Sequence, residues 1–198
     1  MTKRINPDTG YPMSTEKQIL QARENLKLVE EQSSYDKSLE FLQKIGADFR
    51  TDEEKFHDYM LHNFGQLINL TKAKAELAYK LGEWNVAENN YLKIFSLDIL
   101  IADKLRIIYL KEKRYRDVSY IMQFTKETTK NLPKVLGNYN QWVYEKFDHN
   151  LAEANKKAEK HVSNDRSLIQ GEDRIFLAKR ADKTTKEILS WEEKYYEN

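Results

Sequence analysis

The chain has 198 residues, with 33 Lys and Arg against 32 Asp and Glu, so a net charge of +1 selects no polyanionic partner for the molecule as a whole. Hydrophobic residues make up 40%, with twelve Tyr, eight Phe and three Trp, which is enough for a packed interior; six Gly and three Pro suit a mostly helical chain. Cysteine is absent, which excludes disulfides and thiol nucleophiles and fits a reducing compartment.

Residues 1–18, MTKRINPDTGYPMSTEKQ, contain no apolar run of signal-peptide type. No stretch approaches the roughly 18 uncharged apolar residues of a membrane span. A cytoplasmic protein without membrane contact is expected. Heavy use of Lys, Asn, Ile and Tyr is that of an AT-rich coding sequence and points to a bacterial or phage source.

Residues 1–13 hold two of the three prolines, and NPDTG reads as a turn, so an irregular arm is expected there. Ser14 or Thr15 is placed to cap a helix carrying Ile19, Ala22, Leu26 and Val29 on one stripe. A second helix is expected with Tyr35, Leu39, Leu42 and Ile45 facing inward, closed by Gly46. TDEE at 51–54 is a capping box, with Thr51 as cap and Glu54 reaching back. From there Phe56, Met60, Phe64, Leu67, Thr71, Lys74 and Ala78 trace a helical path to Leu81, with Gly65 marking a kink or join. Further helices are expected at 84–97, 99–112 and 115–130, before the boundary at Pro133.

Beyond that proline the period changes. Leu177, Ala181, Thr184, Ile188, Trp191 and Tyr195 are spaced 4, 3, 4, 3 and 4, a heptad seam. Val143, Phe147, Leu151, Ala154, Ala158 and His161 form a similar one upstream. Two such seams predict an antiparallel helical hairpin over 133–198. Its Trp191, Tyr195 and Tyr196 offer a surface for a homodimer. With no strand pattern anywhere, the expected fold class is all-α: an arm at 1–13, a helical array at 14–132 and the terminal hairpin.

Within the array, LAYKLGEWNVAENNYLKI from Leu77 aligns with IYLKEKRYRDVSYIMQFT from Ile108 at an offset of 31 residues. Trp84 falls on Tyr115, Ala87 on Val118, Tyr91 on Met122 and Ile94 on Thr125. Each stretch is a helix, a short turn, and an aromatic opening the next helix, the logic of a stacked hairpin array. The first resembles a tetratricopeptide repeat over about 68–101, with Ala75 at the small-residue position, Gly82 at the turn, Trp84 at the corner, and Ala87, Tyr91 and Ile94 in the second helix. The second, over about 99–130, keeps Leu105, Tyr109, Tyr115 and Val118 but has Arg106 at the small position and Lys113 at the turn. Its period is also shorter than the family's usual ~34 residues.

The resemblance implies an α-α superhelix whose first helices line a concave groove that grips a peptide or helix of another protein. Carried over by position, the lining residues are Asn69, Lys72, Glu76, Tyr79 and Lys80, then Asp103, Ile107, Leu110 and Lys111. Some members hold a C-terminal carboxylate with Lys and Asn four residues apart. Here Glu76 follows Lys72, and Ile107 stands at the equivalent place in the next unit, so that clamp is not expected.

Local charge suggests an alternative. Between residues 104 and 134 there are nine basic residues against three acidic, whereas 51–100 has eight acidic against five basic. Lys111, Lys113, Arg114 and Arg116, interleaved with Tyr109, Tyr115, Tyr120 and Phe124, are the residue types that neutralise phosphates and stack on bases. On helical stripes those aromatics also serve as core, leaving the cations as a solvated face. Glu54 and His57 stand at i and i+3, but Glu145, Asp148 and His149 do not repeat that carboxylate–imidazole spacing, so no metal is expected. No phosphate loop, HExxH or GxSxG occurs. The reading is a non-enzymatic adaptor or regulator that takes a protein or peptide partner and no cofactor, with nucleic-acid association through the basic tract as the alternative.

Overall fold

Residues 4–31, 44–46, 48–136 and 139–197 are described by a computed structural model. Among them are seven α-helices and no strand beyond one isolated bridge, Ile5 with Pro12. The helices are α1 (Glu16–Glu31), α2 (Asp52–Lys80), α3 (Trp84–Ile94), α4 (Ile99–Lys111), α5 (Tyr115–Thr128), α6 (Gln141–Lys160) and α7 (Glu172–Glu197). Tyr35, Leu39 and Leu42 lie outside the described residues; Ile45, expected to face inward, is exposed. The chain divides into two compact units, Met1–Ala87 and Glu88–Asn198, with the division falling inside α3.

In the first unit, the starts of α1 and α2 are fixed by local chemistry. The Thr15 hydroxyl accepts from Gln18 N–H at 3.3 Å and starts α1. At α2 both halves of the capping box form: Thr51 Oγ1 accepts from Glu54 N–H at 3.2 Å, and Glu54 Oε2 accepts from Thr51 N–H at 2.7 Å. Arg50, just ahead, donates to Asp48 and Asp58. Helix α2 runs through Gly65 unbroken, with the Asn69 side chain packed close against it. Its buried stripe is Met60, Phe64, Ile68, Ala75 and Ala78; Lys74, expected on that path, is exposed. Helix α1 packs along α2, starting where α2 ends, since Ser14 N–H donates to the Lys80 carbonyl.

The arm is irregular but built. Asn6 is buried: its Oδ1 accepts from Asp8 and Thr9 N–H, and its Nδ2 donates to the Leu81 carbonyl at 2.8 Å. Thr9 Oγ1 donates to the Gly82 carbonyl at 2.7 Å. Tyr11 then stacks on Trp84 with ring centres 4.5 Å apart, and Tyr79 stacks near the same indole at 5.7 Å.

In the second unit, the last turn of α3 passes into a 3₁₀ turn, Phe95–Leu97. Asp98 caps α4 by accepting from Leu100 N–H at 2.7 Å. Helix α5 packs on α4 and returns to the 3₁₀ turn, where Thr125 and Thr128 hydroxyls donate to the Phe95 and Ser96 carbonyls. The core is Tyr91, Phe95, Ile101, Leu105, Ile108, Tyr109, Val118, Ile121 and Met122. Helix α6, capped by Asn140, lies against α5 through Phe147, Leu151 and Ala154.

The two C-terminal seams do become buried faces, but α6 and α7 are not zipped together along them. Helix α6 lies on α5, whereas α7 meets the Phe95–Leu97 turn, and Arg180 donates to the Leu92 carbonyl. A heptad stripe specifies that a face is buried, not which surface buries it. Of the aromatics expected to offer a dimer surface, Trp191 is buried, Tyr195 half-buried and Tyr196 exposed.

Candidate partner-binding surface

The hairpin turns are the best-defined local feature. At the end of α2, Gly82 has φ +77°, its N–H bonds the Tyr79 carbonyl, and Glu83 N–H bonds the Ala78 carbonyl at 2.9 Å. This is the paired closure that a left-handed residue after a helix allows. The residues around it are closed: Ala75 and Ala87 are 0% exposed, and Trp84 is buried.

At the end of α4 the same pattern recurs without glycine. Lys113 has φ +63°, its N–H bonds the Leu110 carbonyl, and Arg114 N–H bonds the Tyr109 carbonyl at 2.8 Å. Arg114 then turns inward, 4% exposed. Its guanidinium donates to Asp117 at 2.7 Å, to both Glu88 oxygens at 2.9 Å and to Glu112 at 3.1 Å, while lying 4.1 Å over the Tyr109 ring. Burial works against its charge, but the Glu88 and Asp117 bonds outweigh that and hold its pKa above the ordinary arginine value. Tyr109, donating to Glu88, is pushed well above the usual phenol range by burial first and the Glu88 charge second.

The segment after α6 straps this turn. Arg166 N–H donates to the Lys113 carbonyl at 2.9 Å, as Thr9 does to Gly82 in the first unit. Asp165 caps α5 from outside, accepting from Tyr115 N–H at 2.8 Å and pairing with Arg116 and Ser167. The buried Asp117 carboxylate returns the favour, accepting from Leu168 and Ile169 N–H.

Of the residues expected to line a groove, Asn69 is exposed, and Lys72, Glu76, Tyr79 and Lys80 are half-buried along the last turns of α2. Tyr79 is held by Trp84, with the Lys80 ammonium 5.9 Å from the Tyr79 ring centre. In the second unit Asp103, Ile107 and Leu110 are half-buried and Lys111 is exposed. Asp103 accepts from Arg106 at 2.7 Å and from Asn150 of α6 at 2.9 Å, so α4 and α6 meet at this face. The two sets belong to separate units; within each, the structure brings its members onto one helix.

The basic tract is divided by the same geometry. Arg114 is enclosed by three carboxylates, Arg116 faces Asp165, and Lys111 and Lys113 are exposed. Tyr109 is core, whereas Tyr120 and Phe124 are half-buried beside an open cavity of about 410 Å³, with Arg174 stacked 4.6 Å from the Tyr120 ring. A second cavity, of about 390 Å³, opens where α5 ends. Sequence reasoning did not find it, although Lys126, Lys130 and Lys134, four residues apart, carried a signal.

Among the described residues no three His, Cys, Asp or Glu side chains gather as metal ligands, and no helix is long and apolar enough to cross a membrane. No protein-family model, no curated protein and no solved structure matches the chain.

Proposed function

We propose that the chain is a non-enzymatic interaction module, an adaptor or regulator, that holds a peptide or helix of a partner protein against the first helices of tetratricopeptide-like hairpins at about 68–101 and 99–130. One observation carries this reading: the turns at Gly82 and Lys113 share one left-handed residue and one hydrogen-bond pattern at an offset of 31 residues. A repeated turn gives repeated hairpins, and each hairpin offers its first helix as a face for a partner.

The second-unit face supplies mixed chemistry. Ile107 and Leu110 offer apolar contact, and Asp103 and Lys111 offer charge of both signs. Caps, straps and the Arg114 network hold the helices before any partner arrives, so little ordering entropy is lost on binding.

Selection of a short-peptide display library on the intact chain tests the reading, with an Ile107→Asp/Lys111→Glu variant as counter-selection. Peptides that bind the parent and not the variant support it. Enrichment of nothing, or of peptides that bind both equally, counts against it. Binding of nucleic acid instead, weakening steeply with salt, would favour the basic tract.

A further inference from the structure

The cavity at the end of α5 has an apolar floor and a cationic rim. Leu97 enters from the turn before α4 and Ile99 from the first turn of α4, and Leu136 and Phe147 complete the apolar lining, each at most 5% exposed. Lys126, Lys130 and Lys134 stand along the rim. Lys126 is balanced by Asp148 at 2.8 Å, while Lys130 and Lys134 have no ion-pair partner among the described residues. Cations near a helix end also offset its carbonyl dipole. That accounts for Lys126 and Lys130, but not for Lys134, which lies beyond the 3₁₀ turn Thr129–Asn131 and Pro133 yet still lines the cavity.

What the lining does not offer narrows the occupant. The Tyr139 hydroxyl is spent on Asp98 at 2.7 Å and the Thr129 hydroxyl on the Thr125 carbonyl at 2.8 Å. A peptide or nucleobase would bring donors and acceptors that an apolar floor leaves unmatched, at a cost for each. A hydrocarbon chain brings none to that floor, and a single anionic head places its acceptors at the lysines. The volume of about 390 Å³ falls in the small-molecule range.

We propose that this cavity binds a single-chain apolar carboxylate, its chain on Leu97, Ile99, Leu136 and Phe147 and its head at Lys130 and Lys134. None of these residues belongs to the partner-binding faces, so the two readings stand or fall separately.

The test is titration of the intact chain with decanoate below its micelle-forming concentration, with affinity read by calorimetry and position by amide shifts. Saturable binding is expected, with shifts at Leu132, Leu136 and Phe147. Decanol should bind about tenfold more weakly, and octanoate about fifteenfold more weakly, at about fourfold per methylene. Lys130→Glu with Lys134→Glu should weaken decanoate about tenfold and leave decanol unchanged, while Lys130→Arg with Lys134→Arg keeps parental affinity. Should the glutamate pair not fold, the arginine pair and the decanol comparison decide. Equal binding of decanol and decanoate, shifts confined to other surfaces, no saturable binding, or tighter occupation by an acidic peptide would overturn the proposal.

Discussion

Gly82 and Lys113 hold the same left-handed backbone, φ +77° and +63°, at the same step of two hairpin turns. Each follows a helix by two residues, and in each the next N–H reaches back five residues, to Ala78 and to Tyr109. What differs is the space around them. A Cβ on Gly82 would lie 2.9 Å from the Tyr11 carbonyl oxygen and 3.0 Å from Asn6 Cβ, whereas Lys113 carries its side chain into solvent.

The two turns should therefore respond oppositely to substitution. Lys113→Gly relieves a left-handed side chain and should raise stability by about 0.5–1 kcal/mol, net of the added unfolded-state freedom. Gly82→Ala combines that strain with a backbone clash and should lower it by about 2 kcal/mol. Urea unfolding measures both, and equal shifts in the same direction would refute the difference.

Arg114 is the electrostatic centre of the second unit, because Glu88, Glu112 and Asp117 all converge on it. Arg114→Met leaves three crowded carboxylates without a counter-charge and should cost about 3–5 kcal/mol. Arg114→Lys keeps the charge but loses the fork, and should fall between. Calorimetric melting within a degree of the parent for Arg114→Met would contradict this.

The strap should be acid-sensitive. Burial pushes the Asp165 carboxyl up, but hydrogen bonds from Arg116, Ser167 and the Arg116 and Tyr115 N–H groups outweigh it and hold the pKa below the usual carboxylate range. Because the folded-state value is the lower one, the stabilisation is complete above the ordinary carboxylate pKa of ~3.9 and is lost as pH falls through the folded value. Asp165→Asn should thus cost about 1 kcal/mol at neutral pH, with the gap to the parent closing below about pH 4. A gap that stays constant down to the acid limit would count against the strap.

Asn6 ties the arm to the first turn through its hydrogen bond to the Leu81 carbonyl, and its Oδ1 holds the arm's own bend by accepting from Asp8 and Thr9 N–H. Asn6→Ala should cost about 1–2 kcal/mol and red-shift tryptophan emission as Tyr11 leaves Trp84. Trp142 is already 64% exposed and contributes no shift. Unchanged emission would show that the arm does not depend on Asn6.

Features set by neighbours in sequence were legible from it: the Thr51 box, the limits of α3 to α5 within a few residues, the Gly82 turn and the 31-residue recurrence all rest on local patterns. Features set by distant partners were not. Arg114 read as a surface cation because its carboxylate Glu88 lies 26 residues away. No pattern around Asp165 points to the helix it caps 50 residues upstream. The α6 and α7 stripes predicted burial correctly but not the surfaces that provide it. Ile107 and Leu110 were placed on a groove by resemblance, and both are half-buried on α4.

The most direct measurement is calorimetric titration of a library-selected peptide into the intact chain and into Ile107→Asp, Lys111→Glu and Lys113→Glu variants of unchanged helicity. The account predicts that the first two weaken binding about tenfold or more while Lys113→Glu, on the turn rather than the face, leaves it intact. Undiminished affinity in Ile107→Asp and Lys111→Glu, or loss only in Lys113→Glu, would contradict it.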